Sequence, residues 1–159
     1  EGCFLSETIS WNIVYNVLGN ISHAGVVDKK KEKEIADYYG ESMRIKAPNL
    51  DKTKVVTLSG GNQQKVVVGK ALATQSDIVI FDEPTRGIDV GAKYEIYELI
   101  NQMCEEGKCV IMVTSDMEEL LGMSDRIVVF GERCMVGELT KEEFSQERIL
   151  DMASTEHHE

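Results

Sequence analysis

The sequence predicts an α/β fold with a truncated, mostly parallel sheet flanked by helices. Three short, wholly apolar runs lie at residues 78–81, 110–113 and 127–130. Continuous apolar runs of this length are typical of strands that are covered on both faces in a parallel sheet. Apolar residues at helical spacing in the stretch 91–106 separate the first two runs, which is the order expected when a helix connects two parallel strands.

A mostly helical arm is predicted over residues 1–57. Apolar residues at near-helical spacing follow Ser6 as far as Ile21, and Asp28 is the expected N-cap of a charged helix that ends near Ile45. We expect most of the four aromatic residues of the arm to be core residues, with contact to a partner as the alternative, because helical spacing does not separate the two: Trp11, Tyr15, Tyr38 and Tyr39.

Further elements are predicted after the second apolar run. Asp116 and Glu119 form a capping-box pattern, which predicts a short helix after Asp116. The segment 134–137 is predicted to be a strand that returns after a turn at 131–133. Thr140 and Glu143 are predicted to start a last helical stretch over residues 140–152. Residues 154–159 are a polar tail, in which two histidines are not expected to form a metal site.

Composition excludes two classes of protein. A net charge of −11 argues against a nucleic-acid groove, which needs a clustered excess of Lys and Arg to neutralise phosphates. No apolar stretch approaches the roughly 20 residues that a membrane-spanning helix requires. The four cysteines show no paired spacing, so we expect free, partly buried thiols. A soluble protein without nucleic-acid partners is therefore expected.

The sequence Ser59-Gly60-Gly61 opens a helical run and predicts an anion site. It combines a hydroxyl group, backbone N–H groups that no large side chain screens, and the positive end of a helix dipole. Among anions, phosphate fits such a helix N-terminus best. The alternative for these residues alone is an ordinary flexible turn.

Two carboxylates follow the first apolar run directly. Asp82 and Glu83 would lie at the carboxyl end of a buried strand, where charge is costly unless it meets a metal ion or a reacting group. The alternative is a capped strand end with two solvated acids.

Together these motifs resemble the ATP-binding cassette (ABC) family. Residues 58–64 (LSGGNQQ) resemble its signature loop, and residues 78–83 (IVIFDE) resemble its Walker B strand. The following PTRGIDVGAK, residues 84–93, resembles the second cassette of the ATPases that drive bacterial ribose, galactose and xylose importers. The resemblance covers residues 1 to about 153. It implies a partial P-loop NTPase fold, with the C-terminal part of a nucleotide-binding domain at 58–153.

In this family two cassettes hold ATP between them, so the signature loop serves the nucleotide bound by the other cassette. The resemblance implies that Ser59, Gly60 and Gly61 contact the γ-phosphate of that nucleotide. Asn62 and Gln63 would lie near it. The implied ligands are ATP and Mg²⁺.

The resemblance also assigns roles to the acidic motifs. Asp82 would hold Mg²⁺, and Glu83 would be the base that orients or activates the attacking water. Ser115 stands where the family usually has a switch histidine, so a positively charged contact is lost and the site with Glu83 is expected to be slow or silent. Asp89 matches the D-loop that crosses the dimer interface; alternatively, Gly87 and Asp89 turn the chain and cap the next helix.

A phosphate loop of the form G-x-x-x-x-G-K-[ST] is missing. Gly69-Lys70 and Gly107-Lys108 do not fit its spacing. We therefore expect the C-terminal part of a cassette that binds nucleotide weakly and is inactive alone. Its sheet would expose a face that promotes self-association or that the arm shields.

The implied partners are the first cassette of the same protein, membrane-spanning permease subunits and, indirectly, a periplasmic or lipid-anchored sugar-binding protein. The implied location is peripheral, at the cytoplasmic face of the cell membrane. The sugar itself is not encoded in this chain. The alternative is the C-terminal lobe of a chromosome-maintenance or DNA-repair ATPase. That class would show a long heptad coiled coil and a basic face, and neither is visible.

Overall fold

The structure is a computed structural model that describes residues 2–154. The chain divides into two compact units, one that ends at Val113 and one that begins at Thr114. No helix within the described residues is both long and apolar enough to cross a bilayer. The predicted tail at 154–159, with His157 and His158, lies outside the described residues except for Ser154.

The predicted arm is mostly helical, as expected. Its first helix is capped by Thr8, whose side chain accepts from the N–H of Trp11, and the second is capped by Asp28, which accepts from the N–H groups of Lys30 and Lys31. The elements of the arm are α1 (Ile9–Val14), a 3-10 helix (Tyr15–Ile21), the hairpin strands β1 (Ser22–His23) and β2 (Val26–Val27), α2 (Lys29–Ser42) and a second 3-10 helix (Val55–Thr57).

The arm shares its core with the next helix, α3 (Gly60–Leu72). Ile9 and Ile13 of the arm pack with Val66 of α3 in one buried cluster. This packing follows from helical periodicity, which gives each element one apolar side that must be covered. Residues on both sides of the predicted domain boundary at residue 57 contribute to this cluster. The boundary itself stays a prediction.

A parallel pair of strands forms the middle of the chain. β3 (Ile78–Asp82) pairs with β4 (Cys109–Val113) in the register Ile78 to Cys109 through Asp82 to Val113. The helix α4 (Val90–Glu105) connects them, as predicted, and Gly107 follows it with φ +86°. Gly is favoured there because this backbone conformation is strained for residues with a Cβ atom.

The expectation that these strands are covered on both faces is wrong. Val79 and Phe81 are buried, but the alternating side chains point to solvent, and Ile80 is 66% exposed. The exposed members of this β3–β4 face are Ile78, Ile80, Ile111 and Val113. The arm does not shield them, because its apolar residues pack on α3. Self-association through this face stays a prediction.

The second unit contains an antiparallel hairpin. Its strands β5 (Arg126–Gly131) and β6 (Cys134–Thr140) are joined by a two-residue turn, in which Glu132 and Arg133 have φ +49° and +70°. Positive φ at both central residues is the mark of a tight hairpin turn. The unit also contains α5 (Met117–Met123), a 3-10 helix (Lys141–Glu143) and α6 (Gln146–Ser154).

This hairpin confirms the returning strand predicted at 134–137 and corrects the expectation that the run at 127–130 lies in a parallel sheet. The third apolar run pairs with its own neighbour in the chain, and in the described residues only β3 and β4 are parallel. An apolar run alone does not report the direction of its partner, whereas a tight turn does. The short helix after Asp116 is found where it was predicted. The last helical stretch, predicted over 140–152, starts at the expected Thr140 and Glu143 but is divided into the 3-10 helix and α6, with a break at 144–145.

Most of the arm aromatics are not core residues. Tyr15 and Tyr38 are exposed, and Trp11 and Tyr39 are half-buried. None of the four cysteines, all within the described residues, forms a disulfide. Only Cys3 is partly buried, which corrects the expectation for the other three. Burial raises the pKa of the Cys3 thiol.

Candidate functional site

Helix α3 begins at the segment that was predicted to hold an anion. Ser59 is the N-cap, and its Oγ accepts from the backbone N–H of Asn62 at 3.4 Å. Ser59 and Gly60 are exposed, whereas Gly61 is buried. Among the described residues, the N–H groups of Gly60 and Gly61 have no acceptor, as expected in a first helical turn. The start of α3 therefore combines an exposed hydroxyl with open donors at the positive end of the helix dipole.

Gly60 and Gly61 allow the start of α3 to lie close to the start of α4. A Cβ atom added to Gly61 would lie 2.5 Å from the Cβ of Ala92, and one added to Gly60 would lie 3.3 Å from Cγ2 of Ile88. The structure thus brings the predicted signature residues against the turn that precedes α4. Gly61 is needed for this close approach, because any larger residue would force the helices apart.

Asn62 and Gln63 use their amide groups within the chain. The Nδ2 of Asn62 donates to Ser59 Oγ at 3.0 Å, and its Oδ1 accepts from the N–H of Lys46 at 2.9 Å. The Nε2 of Gln63 donates to the carbonyl oxygens of Val55 and Leu58. Both amides therefore fix the chain around Ser59.

The predicted acidic pair lies at the carboxyl end of β3. Asp82 is exposed and Glu83 is half-buried. Glu83 has φ +49°, a left-handed conformation that is uncommon for a residue with a Cβ atom. Two backbone bonds hold it there, from its N–H to the carbonyl of Val113 at 2.8 Å and from the N–H of Arg86 to its carbonyl at 3.2 Å. Strained conformations of this kind cluster at functional sites.

The turn after this pair ends at Asp89. Gly87 has φ +75°, and the Oδ1 of Asp89 accepts from the N–H of Ala92 at 3.0 Å, which caps α4. The expectation that these two residues turn the chain and cap the next helix is confirmed. The assignment of Asp89 to a dimer contact stays a prediction.

Ser115 belongs to the second unit and is exposed. It lies between Thr114 and Asp116. The N–H of Asp116 donates to Thr114 Oγ1 at 3.0 Å, and Asp116 caps α5. Ser115 therefore occupies the short connection between β4 and α5.

One ion pair between α3 and α4 was not predicted from the sequence. Lys65 has a side chain that is only 4% exposed and forms an ion pair with Glu95 of α4, whose side chain is 44% exposed. The hydrogen bond from Lys65 holds the pKa of Glu95 below its ordinary value. The helical pattern did indicate it, because Lys65 lies on the same stripe of the helix as Gly61, Val68 and Leu72. A charged side chain on a buried stripe needs a partner of opposite charge.

Comparison with known proteins places these features in a family. A profile described as ABC transporter matches residues 6–86. The chain is 47% identical over 150 residues to the L-arabinose transport ATP-binding protein AraG of Geobacillus stearothermophilus, and 45% identical over 154 residues to the ribose import ATP-binding protein RbsA of Clostridium perfringens. These alignments cover 94% and 96% of this chain, but only 29% and 30% of the relatives.

Solved structures support the same fold. A metal-chelate type ABC transporter in an inward-facing conformation matches 93% of this chain with a TM-score of 0.80 at 14% identity, and the match covers 58% of that chain. A dimeric ATP-binding cassette bound to ADP and Pi matches 89% with a TM-score of 0.73 at 23% identity, covering 60% of that chain. The relatives do not favour the chromosome-maintenance alternative. The chain belongs to the ABC transporter family.

Proposed function

We propose that this chain is the C-terminal part of the second cassette in the ATP-binding protein of a bacterial sugar importer. The observation that carries the proposal is the 43–47% identity to sugar-import ATP-binding proteins over almost the whole chain. The chain spans about 30% of their length, so the activity belongs to the whole protein. There the chain couples ATP hydrolysis to sugar uptake.

Ser59, Gly60 and Gly61 complete the ATP site of the first cassette. The exposed Ser59 and Gly60 at the start of α3 support this role, because they offer a hydroxyl and a backbone N–H without an acceptor in the described residues. Charge that develops on the γ-phosphate is stabilised by such fixed donors, and one of them is typically worth ~10²–10³ in rate. Asp89 contacts the dimer interface while it caps α4.

Asp82 suits Mg²⁺ as a single protein ligand. No group of three or more His, Cys, Asp or Glu residues in the described part of the chain could hold a metal by itself. Mg²⁺ does not need one, since it is often held by one or two carboxylates together with water and phosphate oxygens. The exposed carboxylate at the end of β3 fits that mode, and the ion would neutralise phosphate charge there.

Glu83 is the residue that orients or activates the attacking water. Its backbone is held at a strained φ by two hydrogen bonds, which fixes where its side chain starts. Ser115, at the switch-histidine position, supplies no positive charge. The site that contains Glu83 is therefore slow, and the site served by Ser59 is the competent one.

The partners are the first cassette, the permease subunits and, through the permease, a sugar-binding protein. The location that goes with them is the cytoplasmic face of the membrane, held by the permease. Alone, this chain binds nucleotide weakly, because no phosphate loop occurs in its sequence. Titration calorimetry with Mg-ATP and the isolated chain tests this point, and tight binding would contradict it.

The decisive experiment uses the full-length ATP-binding protein assembled with its permease. Ser59→Arg is expected to abolish ATP-dependent closure and ATPase activity, because the larger cation fills the space of the γ-phosphate. Asn101→Arg is the matched control, since Asn101 is exposed on α4, away from the motifs. Unchanged ATPase activity in Ser59→Arg would refute the proposal.

A second experiment tests the unequal sites. Glu83→Gln is expected to lower turnover far less than the equivalent change in the first cassette. Equal losses would show that both sites hydrolyse ATP, contrary to the assignment of Ser115.

A further inference from the structure

The orientation of the Asn62 amide is fixed by its neighbours. A backbone N–H can only donate, so the atom that faces the N–H of Lys46 at 2.9 Å must be the amide oxygen. The amide nitrogen then faces Ser59 Oγ at 3.0 Å. Lys46 thus determines that Asn62 presents a donor to Ser59.

This orientation fills the acceptor capacity of the Ser59 hydroxyl. A serine hydroxyl can accept two hydrogen bonds and donate one. Ser59 Oγ accepts from the backbone N–H of Asn62 and again from its Nδ2. Within the described residues the hydroxyl donates to no acceptor. Its proton therefore remains for a group outside this chain, and that group must be an acceptor.

We propose that Asn62 is a positioning residue that sets the polarity of Ser59, holding its hydroxyl as a donor to the phosphate of the partner cassette's nucleotide. This rests on the proposed function and changes the role of Asn62. It does not contact the nucleotide but acts through Ser59. If the hydroxyl could rotate freely, one of its lone pairs would face the phosphate for part of the time. The lone pair and the negatively charged phosphate oxygens would then repel each other.

The loop that orients Asn62 is itself held by α3. The Nζ of Lys65 donates to the carbonyl of Arg44 at 3.4 Å, so Asn62 and Lys65 hold two points of the loop after α2. Arg44 has φ +49°, and its N–H donates to the carbonyl of Glu41, which ends α2 tightly. The loop is thus a fixed support for the Asn62 amide.

Asn62→Asp provides the sharpest test because it reverses the polarity at almost constant size. The carboxylate can still accept from Lys46, but toward Ser59 it can only accept, so the Ser59 proton turns inward. In the full-length protein with its permease, we expect kcat for ATP hydrolysis to fall about 100-fold with little change in KM, since the lost donor acts mainly in the transition state. Asn62→Ala, which frees the hydroxyl to rotate, should lose about 10-fold.

The matched control is Asn49→Asp. Asn49 also accepts from a backbone N–H, that of Lys52 at 3.0 Å, and is exposed on the arm. The same charge is added to the same unit, and activity should be unchanged. If both variants lose activity equally, added charge is the cause and the proposal fails.

Thermal unfolding of this chain separates positioning from mere structural support. A negative charge in the first turn of α3 is favourable to the helix dipole, so Asn62→Asp should melt within a few degrees of the unmodified chain. A structural role predicts instead that stability and activity fall together, and that result would overturn the proposal.

The double variant shows whether Asn62 acts through Ser59. Once Ser59→Ala has removed the hydroxyl, adding Asn62→Asp should cost less than threefold in kcat. Additive losses would refute the positioning role while leaving the proposed function intact. If Ser59→Ala itself has no effect on ATP hydrolysis, the proposed function fails.

Discussion

Helices α3 and α4 start close together and are capped in the same way, yet one capping side chain can still donate a hydrogen bond and the other can only accept. Ser59 and Asp89 each accept the N–H of the residue three positions later. After capping, the Ser59 hydroxyl still has a proton to donate, whereas an ionised Asp89 can only accept. Under the proposed function, the first helix start suits an anion and the second does not.

This difference shows that a helix N-terminus does not define an anion site by itself. Both helix starts carry the positive end of a helix dipole. The capping residue determines whether phosphate binding there is favourable. Asn62 strengthens the contrast, because it supplies Ser59 with a second donor.

The largest predicted effect concerns the contact that brings the two starts together. Gly61→Ala places a Cβ atom 2.5 Å from that of Ala92, and overpacking should lower the free energy of unfolding by about 2 kcal/mol despite the better helix propensity of alanine. Urea unfolding measures it. Adding Ala92→Gly should recover most of the loss, and no recovery would mean that the helices do not touch there.

The ion pair between the same helices gives the next effect. Glu95→Gln leaves the Lys65 ammonium buried without its partner. We expect a loss of about 1–1.5 kcal/mol at pH 7, below the roughly 3–5 kcal/mol of fully buried pairs because water reaches Glu95. The matched control is Glu98→Gln, since the contact of Glu98 with Arg44 at 3.9 Å is exposed on both sides.

The effect of Glu95→Gln should depend on pH. Lys65 lowers the pKa of Glu95 in the folded protein, so the stabilisation is complete above the unfolded value of 4.5 and is lost as the pH falls through the lower, folded value. Unfolding curves of the two proteins should therefore converge in acid below pH 4.5. A difference that stays constant down to pH 3 would contradict this pairing.

Asp89 tests the contrast of the caps directly. Asp89→Ala removes the cap of α4 and should cost about 1 kcal/mol in the free energy of unfolding. Asp89→Ser converts this cap into the type found on α3 and should retain stability within a few tenths of a kcal/mol. Equal losses in both variants would show that the carboxylate does more than cap the helix.

The smallest effect is a gain. α4 follows a strained residue, Glu83 with φ +49°, whereas Ser59 before α3 has φ −62°. Glu83→Gly should relieve the strain and be about 0.5 kcal/mol more stable than Glu83→Ala, because the greater freedom of glycine in the unfolded chain offsets part of the relief. Glu83→Ala keeps the strain and should bring no gain in urea unfolding. Equal stability of the two variants would remove the argument for strain at this position.

Local features were predictable from the sequence, and pairing across the chain was not. Asp28, Asp89 and Asp116 cap helices as expected, because a cap depends on residues within three positions. The partner of the Asn62 amide lies 16 residues away at Lys46, and no local pattern reports it.

The faces and directions of the strands also depended on distant residues. Ile80 and Ile111 lie in apolar runs that resemble buried strands, yet burial depends on what packs over them. The strand that returns after the turn at 131–133 was predicted correctly, but the run at 127–130 was also assigned to a parallel sheet, because an apolar run does not report the direction of its partner.

The exposed β3–β4 face has a practical consequence for handling the isolated chain. Four branched aliphatic side chains in contact with water should bind an environment-sensitive dye such as ANS, even though the surrounding core is intact. Sulfate and other strongly hydrated salts should precipitate the chain readily, because they raise the free energy of apolar surface in water. Dye fluorescence therefore reports the occupancy of this face, not the loss of folding.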